Sequence, residues 1–176
     1  MEWTFKLHAG LAAALGAVLL VLAALTWLPG TLPLPEAGWP VIALGALVAL
    51  IVLPALARIA LTRADRSTAW QAFRCLPGRA QAGLAALGLA CAVLVICTIG
   101  GDQGMSSPEA KDGRYYAFQA AGYQRGTVEV SRSQYEAVLE DSQRLMLTVP
   151  GFLLTVAAYT VLAAGELRRA DRTSAP

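Results

Sequence analysis

The sequence predicts an all-α membrane protein with four transmembrane helices, both termini in the cytoplasm, and one folded loop outside the membrane. Hydrophobic residues make up 56% of the chain and charged residues only 15%. Four uncharged stretches are each long enough to cross about 30 Å of hydrocarbon as a helix. Basic residues cluster beside some ends of these stretches and not others, which fixes the predicted orientation.

The four stretches comprise residues 9–28, 39–57, 80–100 and 145–165. The membrane interior offers no partner for backbone N–H and C=O groups, so each stretch must satisfy these groups internally, as a helix. None of the stretches shows the alternation of apolar and polar residues that barrel strands require. We therefore assign residues 1–176 to a single four-helix transmembrane domain in the cell inner (cytoplasmic) membrane.

The first stretch has a second interpretation, as a cleavable signal peptide, because Lys6 precedes an apolar run. Against this, the run is long and no convincing small-x-small cleavage site follows Ala24. Cleavage would leave the other three spans oriented as predicted, because the second span would still enter from outside.

The orientation rests on the segment of residues 58–79, between the second and third spans. Its arginines are Arg58, Arg63, Arg66, Arg74 and Arg79. Cytoplasmic connections of membrane proteins carry an excess of Lys and Arg, so we expect this segment to lie inside. Lys6 and the arginines after the fourth span agree with that assignment. Both termini are then cytoplasmic, and the protein is multi-pass.

Within this cytoplasmic loop, Trp70, Phe73 and Leu76 recur at helical spacing. This pattern predicts a short helix that lies on the inner leaflet, ended by Pro77 and Gly78. The side chains that we expect to contact lipid headgroups are Arg66, Trp70, Arg74 and Arg79.

The segment of residues 101–144 is the predicted outer subdomain, between the third and fourth spans. It opens with a Gly, Ser and Pro stretch that we expect to be flexible up to Pro108, with order beginning near Arg114. Residues 114–119 and 127–130 carry β-favouring side chains and predict a β-hairpin.

A helix is predicted to follow the hairpin. Ser133 and Glu136 have the spacing of a capping box, in which each side chain bonds to the other residue's backbone N–H. Apolar residues then continue at helical spacing, so we expect one helix to run from the outer loop into the fourth span.

This loop also carries a resemblance. A tyrosine-containing strand, a Gly-Thr-Val-Glu-Val-Ser strand, and Ser-Gln-Tyr-Glu at the start of a span resemble the outer loop of uncharacterised small bacterial membrane proteins with four spans. The bias toward Ala, Leu and Arg is similar to that of high-GC, actinobacterial-like sequences. The resemblance implies a structural motif and no activity, and it names no family.

Several function classes are disfavoured by the residue inventory. Ion-coupled transport needs ionisable groups inside the membrane, and the four stretches contain none. The single histidine, His8, has no metal-binding or catalytic motif around it. A net charge of +2 is too even to predict a nucleic-acid surface. We predict a protein that is not an enzyme, with no catalytic or metal site and no cofactor.

Recognition of another protein is the function we expect. The outer loop is rich in aromatic residues that suit partner contacts, although such rings also fill cores or lie at headgroup level. The predicted contact residues are Tyr115, Tyr116, Phe118, Tyr123 and Arg125. The partner would make this chain an accessory subunit of a membrane complex or an immunity protein against a membrane-targeting toxin.

Two alternatives remain open on the sequence. Stripes of small residues, such as Ala9, Ala13 and Ala17, favour close helix packing and hence self-association into an oligomeric channel or a membrane-active effector. A surface enzyme acting on lipid is the third class. Its acid–base or metal-binding groups would come from the outer carboxylates Asp102, Glu109, Asp112, Glu140 and Asp141.

Overall fold

A computed structural model gives the architecture of the chain. The described residues are 3–28, 34, 38–61, 66–101, 104–120 and 125–174. The elements, in chain order, are α1 (Trp3–Leu25), α2 (Trp39–Leu61), α3 (Arg66–Arg74), α4 (Gly78–Gly101), β1 (Met105–Lys111), β2 (Arg114–Gln119), β3 (Gly126–Val130) and α5 (Arg132–Ser174). The protein is therefore mostly helical, with one small sheet inserted between α4 and α5.

The prediction of four long apolar helices is confirmed. Helices α1, α2, α4 and α5 are each long and apolar enough to cross a membrane. Each begins or ends outside its predicted span, because the polar residues beside an apolar run continue the same helix. The predicted helix in the basic loop is also present, as α3.

Helix α5 lies at the centre of the helical body. Along its length Leu147, Leu154, Ala158 and Val161 are fully buried. Helices α1, α2 and α4 make their contacts chiefly with α5, and α3 packs on it as well. The core is thus a set of helices arranged around one long helix, which also carries the sheet at one end.

A close helix crossing joins α1 to α5. A Cβ atom added to Gly16 would lie 3.3 Å from the carbonyl oxygen of Gly151 and 3.4 Å from the Leu154 side chain. A Cβ atom on Gly151 would lie 3.0 Å from Leu20. Only glycine lets the two backbones approach this closely.

The sheet has three antiparallel strands in the order β1-β2-β3. Strands β2 and β3 confirm the predicted hairpin. Strand β1 overturns the prediction that order begins near Arg114, because Met105–Lys111 pairs with β2. Its register shifts between Ser106 and Glu109, around Pro108, which is where an edge strand tolerates a proline.

A tight turn explains why β1 forms. Asp112 and Gly113, between β1 and β2, both have positive φ, 52° and 76°. An Asp-Gly pair with two positive φ angles matches the type I′ turn that closes two-residue hairpins. This dipeptide is the sequence signal for β1, and the polar composition of Met105–Lys111 concealed it.

Helix α5 begins two residues earlier than predicted. Ser131 Oγ accepts a hydrogen bond from the Gln134 backbone N–H (3.3 Å), and Gln134 Oε1 accepts one from the Ser131 N–H (3.0 Å). The capping box is therefore Ser131 and Gln134, and the predicted pair of Ser133 and Glu136 is wrong. Glu136 instead accepts a hydrogen bond from Arg132, which, with their Coulombic attraction, raises the pKa of that guanidinium. The single helix from the loop through the fourth apolar stretch is confirmed.

Substitution of Gly16 tests the crossing of α1 and α5. We expect Gly16→Leu to lower the free energy of unfolding by about 2 kcal/mol, because the added side chain forces the helices apart. The matched control is Gly88→Leu in α4, where no atom lies within 4 Å of an added Cβ. Thermal unfolding of both variants in detergent measures the difference, and equal melting temperatures would contradict the close crossing.

Candidate functional site

Arg144 organises the end of the helical body that carries the sheet. Its Nε donates to Thr26 Oγ1 (3.1 Å) and its Nη2 to the Thr26 carbonyl oxygen (3.1 Å), just past the end of α1. On α5 itself, Nη2 donates to Glu140 Oε2 (3.1 Å) and Nη1 to Asp141 Oδ1. The guanidinium also lies over the Trp27 ring, 4.5 Å from its centroid. One side chain therefore fastens the end of α1 to α5.

The burial of this network makes it structural. The Arg144 side chain is only 14% exposed, and those of Glu140 and Asp141 are 30% and 27% exposed. A charge removed from water to this extent needs its partners, because an unpaired group would keep the full cost of desolvation. The network satisfies every charged group in it with an opposite charge, and two negative charges face one positive charge.

Gln143 makes a second connection at the same end. Its Nε2 donates to the Leu34 carbonyl oxygen (2.7 Å), and its Oε1 accepts from the Leu34 N–H (3.2 Å). The Gln143 side chain is buried. This pair of hydrogen bonds joins α5 to the connection between α1 and α2.

The inner face of the sheet packs on α5. The Tyr115 ring lies 4.8 Å from the ring of buried Tyr135, measured between centroids. Ala117, two residues along the same strand, is fully buried. Val128 and Val130 pair opposite Ala117 and Tyr115, so they share this face. Tyr115, a predicted partner-contact residue, is thus placed in the loop's own core.

The outer face of the sheet points away from α5. Tyr116 and Phe118 alternate with the inward residues of β2, and Phe118 is 41% exposed. Glu109 on β1 and Glu129 on β3 are the strand partners of Tyr116, one on each side of it. We call the set Glu109, Tyr116, Phe118, Thr127 and Glu129 the outer sheet face.

The charges of the outer sheet face are accessible to solvent. Arg114 lies 3.8 Å from Glu129, with both side chains more than half exposed. An ion pair so exposed contributes little to stability, and both charges remain free to meet those of another molecule. The face therefore combines two aromatic rings with two exposed carboxylates, one of which lies beside Arg114.

Two predicted contact residues remain, Arg125 and Tyr123. Arg125 is exposed beside the first residue of β3. Tyr123, predicted at the tip of the loop, lies outside the described residues. Of the five predicted residues, the structure brings half-buried Tyr116 and exposed Phe118 together on the outer sheet face.

A cavity of about 350 Å³ lies where the sheet meets α4 and α5. Its polar lining comes from Thr98, Ser106, Asp141 and Ser142, and the rest is apolar or glycine. Asp141, the one carboxylate, is held by Arg144. The cavity thus offers a few hydroxyl groups and a carboxylate that is already ion-paired.

The outer carboxylates do not converge. Glu109 lies on the outer sheet face, Asp112 in the β1–β2 turn, and Glu140 and Asp141 beside Arg144. Asp102 lies outside the described residues. Within the described part of the chain, no three His, Cys, Asp or Glu side chains come together in a way that could hold a metal ion.

The opposite end of the helical body, which we call the basic end, carries α3. Phe73 of α3 contacts the Tyr159 ring of α5, 5.6 Å between centroids, and Trp70 stacks on Phe73 at 5.5 Å. Gln81 Nε2 donates to the last carbonyl oxygens of α3 and its C-terminal turn, those of Phe73, Arg74 and Leu76. These contacts fix α3 against α4 and α5.

The predicted headgroup-contact residues lie at this end. Trp70, Arg74 and Arg79 are exposed. Arg66 begins α3, and its side chain is not described. Their contact with lipid stays a prediction.

Two further arginines at the basic end meet on one ring. Arg58 lies 4.7 Å and Arg168 5.4 Å from the centroid of buried Phe5. Nearby, His8 Nε2 donates to the Ile51 carbonyl oxygen (3.0 Å), close to Pro54. The contacts link α1, α2 and α5, and they could not be predicted from the sequence beyond the residue types.

Comparison of the chain with family models, with curated protein sequences and with solved structures finds no significant match.

Replacement of Arg144 tests the network. We expect Arg144→Met to lower the free energy of unfolding by about 2 kcal/mol, because Glu140, Asp141 and the Thr26 carbonyl lose their cation in a half-buried place. The same variant with Glu140→Gln and Asp141→Asn added should recover part of the loss, since no unpaired charge remains. Thermal unfolding in detergent reports both values. A triple variant less stable than Arg144→Met would contradict this account.

Proposed function

We propose that the chain is an integral protein of a bacterial inner membrane, with four spans and both termini in the cytoplasm. Its outer sheet face binds another protein, and it has no enzymatic activity of its own. The partner makes it either an accessory subunit of a membrane complex or an immunity protein against a membrane-targeting toxin. The observation that carries the binding function is the pair Tyr116 and Phe118, which point outward from a sheet whose other face is fixed on α5.

Insertion is supported by the outward faces of the long helices. Large apolar side chains that are more than 60% exposed include Ile42, Leu50, Leu61, Leu89 and Ile96. A surface so apolar over several adjacent helices is far larger than a soluble monomer exposes. Contact with lipid chains removes the free-energy cost of exposing these apolar faces to water.

Tryptophan placement supports the same conclusion. All four tryptophans are exposed, with Trp3 and Trp70 toward the basic end and Trp27 and Trp39 toward the end with the sheet. Tryptophan concentrates at the two headgroup levels of a membrane. Trp3 and Trp27 lie at opposite ends of α1, about 36 Å apart at 1.5 Å per helical residue, which suits a bilayer core of roughly 30 Å.

Charge supports the orientation. The basic end carries Lys6, Arg58, Arg74, Arg79, Arg168 and Arg169. The acidic residues of the outer sheet face and of the Arg144 network lie at the other end. Because the cytoplasmic side of a membrane protein is the one rich in Lys and Arg, the basic end faces the cytoplasm.

Thiol labelling of intact cells tests this topology. Cys75 is exposed and follows α3 at the basic end. With Cys91→Ala and Cys97→Ala, we expect a membrane-impermeant maleimide to label Cys75 only after the cells are permeabilised. In a variant without the three native cysteines, Ser106→Cys on β1 should be labelled in intact cells. Labelling of Cys75 in intact cells would overturn the orientation.

The outer sheet face is suited to a protein partner for two reasons. Aromatic side chains supply large contact areas at low entropy cost, and they dominate binding energy at many interfaces. The neighbouring Glu109 and Glu129 favour a partner surface that carries Lys or Arg, and charges at an interface rim speed association. Because its inner face is already fixed on α5, the sheet loses little conformational entropy when a partner binds.

Substitution of the two aromatic residues tests partner binding. Membranes of the native host are solubilised in mild detergent, the tagged protein is recovered, and co-purifying proteins are quantified by mass spectrometry. We expect Tyr116→Ser with Phe118→Ser to lower recovery of the specific partner more than tenfold, because each lost anchor costs over 1 kcal/mol.

Arg132→Ala is the control for this experiment, because Arg132 is exposed at the start of α5 and lies outside the sheet. It should leave recovery unchanged. The same set of co-purifying proteins, in equal amounts, from wild type and the double variant would contradict the proposal. Circular dichroism of each variant confirms that the fold is retained.

A further inference from the structure

A cleft of about 480 Å³ runs between α1 and α4, with Leu162 of α5 also lining it. We call it the α1–α4 cleft. Small residues line both sides, among them Ala9, Ala13 and Ala17 on α1 and Gly83 on α4. Of its lining residues only Lys6, at one end, is charged. We infer that this cleft binds an anionic phospholipid of the inner leaflet, with one acyl chain between the helices and the phosphate at Lys6. The inference rests on the membrane insertion proposed above.

The length of the cleft fits one leaflet. From Lys6 to Ala17 the cleft follows eleven residues of α1, which is roughly 16 Å at about 1.5 Å per residue. The hydrocarbon core of a bilayer is about 30 Å thick, so this is close to the depth of a single leaflet. The volume is also in the range of pockets that bind small molecules.

Glycine keeps the cleft open. No atom lies within 4 Å of a Cβ added to Gly10 or Gly83, both of which line the cleft. By contrast, Gly16 on the neighbouring face of α1 is in tight contact with α5. The same helix therefore uses one face for protein packing and leaves the other with room for a narrow chain.

Charge at the open end selects the headgroup. Lys6 forms no ion pair with any acid among the described residues, and neither does Arg79, next to Ala80 of the cleft. In the described part of the basic end, Glu166 lies beside Arg169. An anionic phosphate supplies a negative charge that Lys6 and Arg79 do not meet among the described residues, and attraction between lysine and anionic lipid favours it.

A second copy of this chain fits the cleft less well. Two copies inserted in the same direction are related by a two-fold axis along the membrane normal. A dimer that buries the cleft on itself would place Lys6 of one copy at the same depth as Lys6 of the other. The two Lys6 ammonium groups then repel each other, whereas a phosphate attracts Lys6.

Lipid binding to the purified full-length chain in nanodiscs tests the inference. Nanodiscs of phosphatidylcholine receive fluorescently labelled phosphatidylglycerol or labelled phosphatidylcholine. Protein-associated lipid is measured by energy transfer from a dye on Cys75, in a chain that carries Cys91→Ala and Cys97→Ala and serves here as wild type. We expect phosphatidylglycerol to be enriched at wild type. Lys6→Gln should weaken that preference about fivefold. Gly83→Leu, which fills the cleft, should abolish binding of either lipid.

Gly88→Leu is the matched control, because Gly88 is on α4, outside the cleft lining, and has equal room for a side chain. It should bind phosphatidylglycerol like wild type. Equal binding of the two lipids by wild type, or wild-type behaviour of both Lys6→Gln and Gly83→Leu, would overturn the inference. So would a wild-type dimer that Gly83→Leu converts to a monomer. Failure of partner recovery through the outer sheet face leaves these outcomes unaffected, so the two proposals fail separately.

Discussion

The single long helix α5, from Arg132 to Ser174, is the constraint on which the other contacts depend, and its backbone hydrogen bonding lacks a donor at Pro150 alone. Its outer turns hold the sheet through Tyr135, and its middle receives α1 at Gly151. Near the start of the last third of α5, Tyr159 packs against α3. These three contacts follow one another along a single helix, with Pro150 between the first contact and the second. The outer sheet face is thereby held in a defined position over the helical body.

Long uncharged runs made the four helices predictable, since helix is the single spanning structure that satisfies every backbone group within one segment. The β2–β3 hairpin was predictable from its aromatic and β-branched residues. Strand β1 was not, because Ser106, Ser107 and Pro108 favour no strand and pairing with β2 overrides their preference. The sequence contains two overlapping capping patterns, Ser131 with Gln134 and Ser133 with Glu136. Both have the spacing of a capping box, and the structure uses the first.

The candidate sites were predictable only in part. Alternation along β2 separates Tyr115 from Tyr116, but the sequence does not reveal which side α5 covers. The importance of Arg144 was hidden for a different reason. Its partner Thr26 lies 118 positions away, and a single arginine beside an apolar run resembles any flanking charge. Long-range pairing of this kind becomes visible once helices are placed side by side.

The central position of α5 has a consequence for biosynthesis. Helices α1, α2 and α4 make their contacts chiefly with α5, and α5 follows all three along the chain. Until it emerges, the earlier helices have few native contacts with each other, and Gly16 and Thr26 lack their partners. Tertiary assembly therefore waits until α5 has been synthesised, and a nascent chain that stalls before α5 exposes unassembled apolar helices to proteases and chaperones.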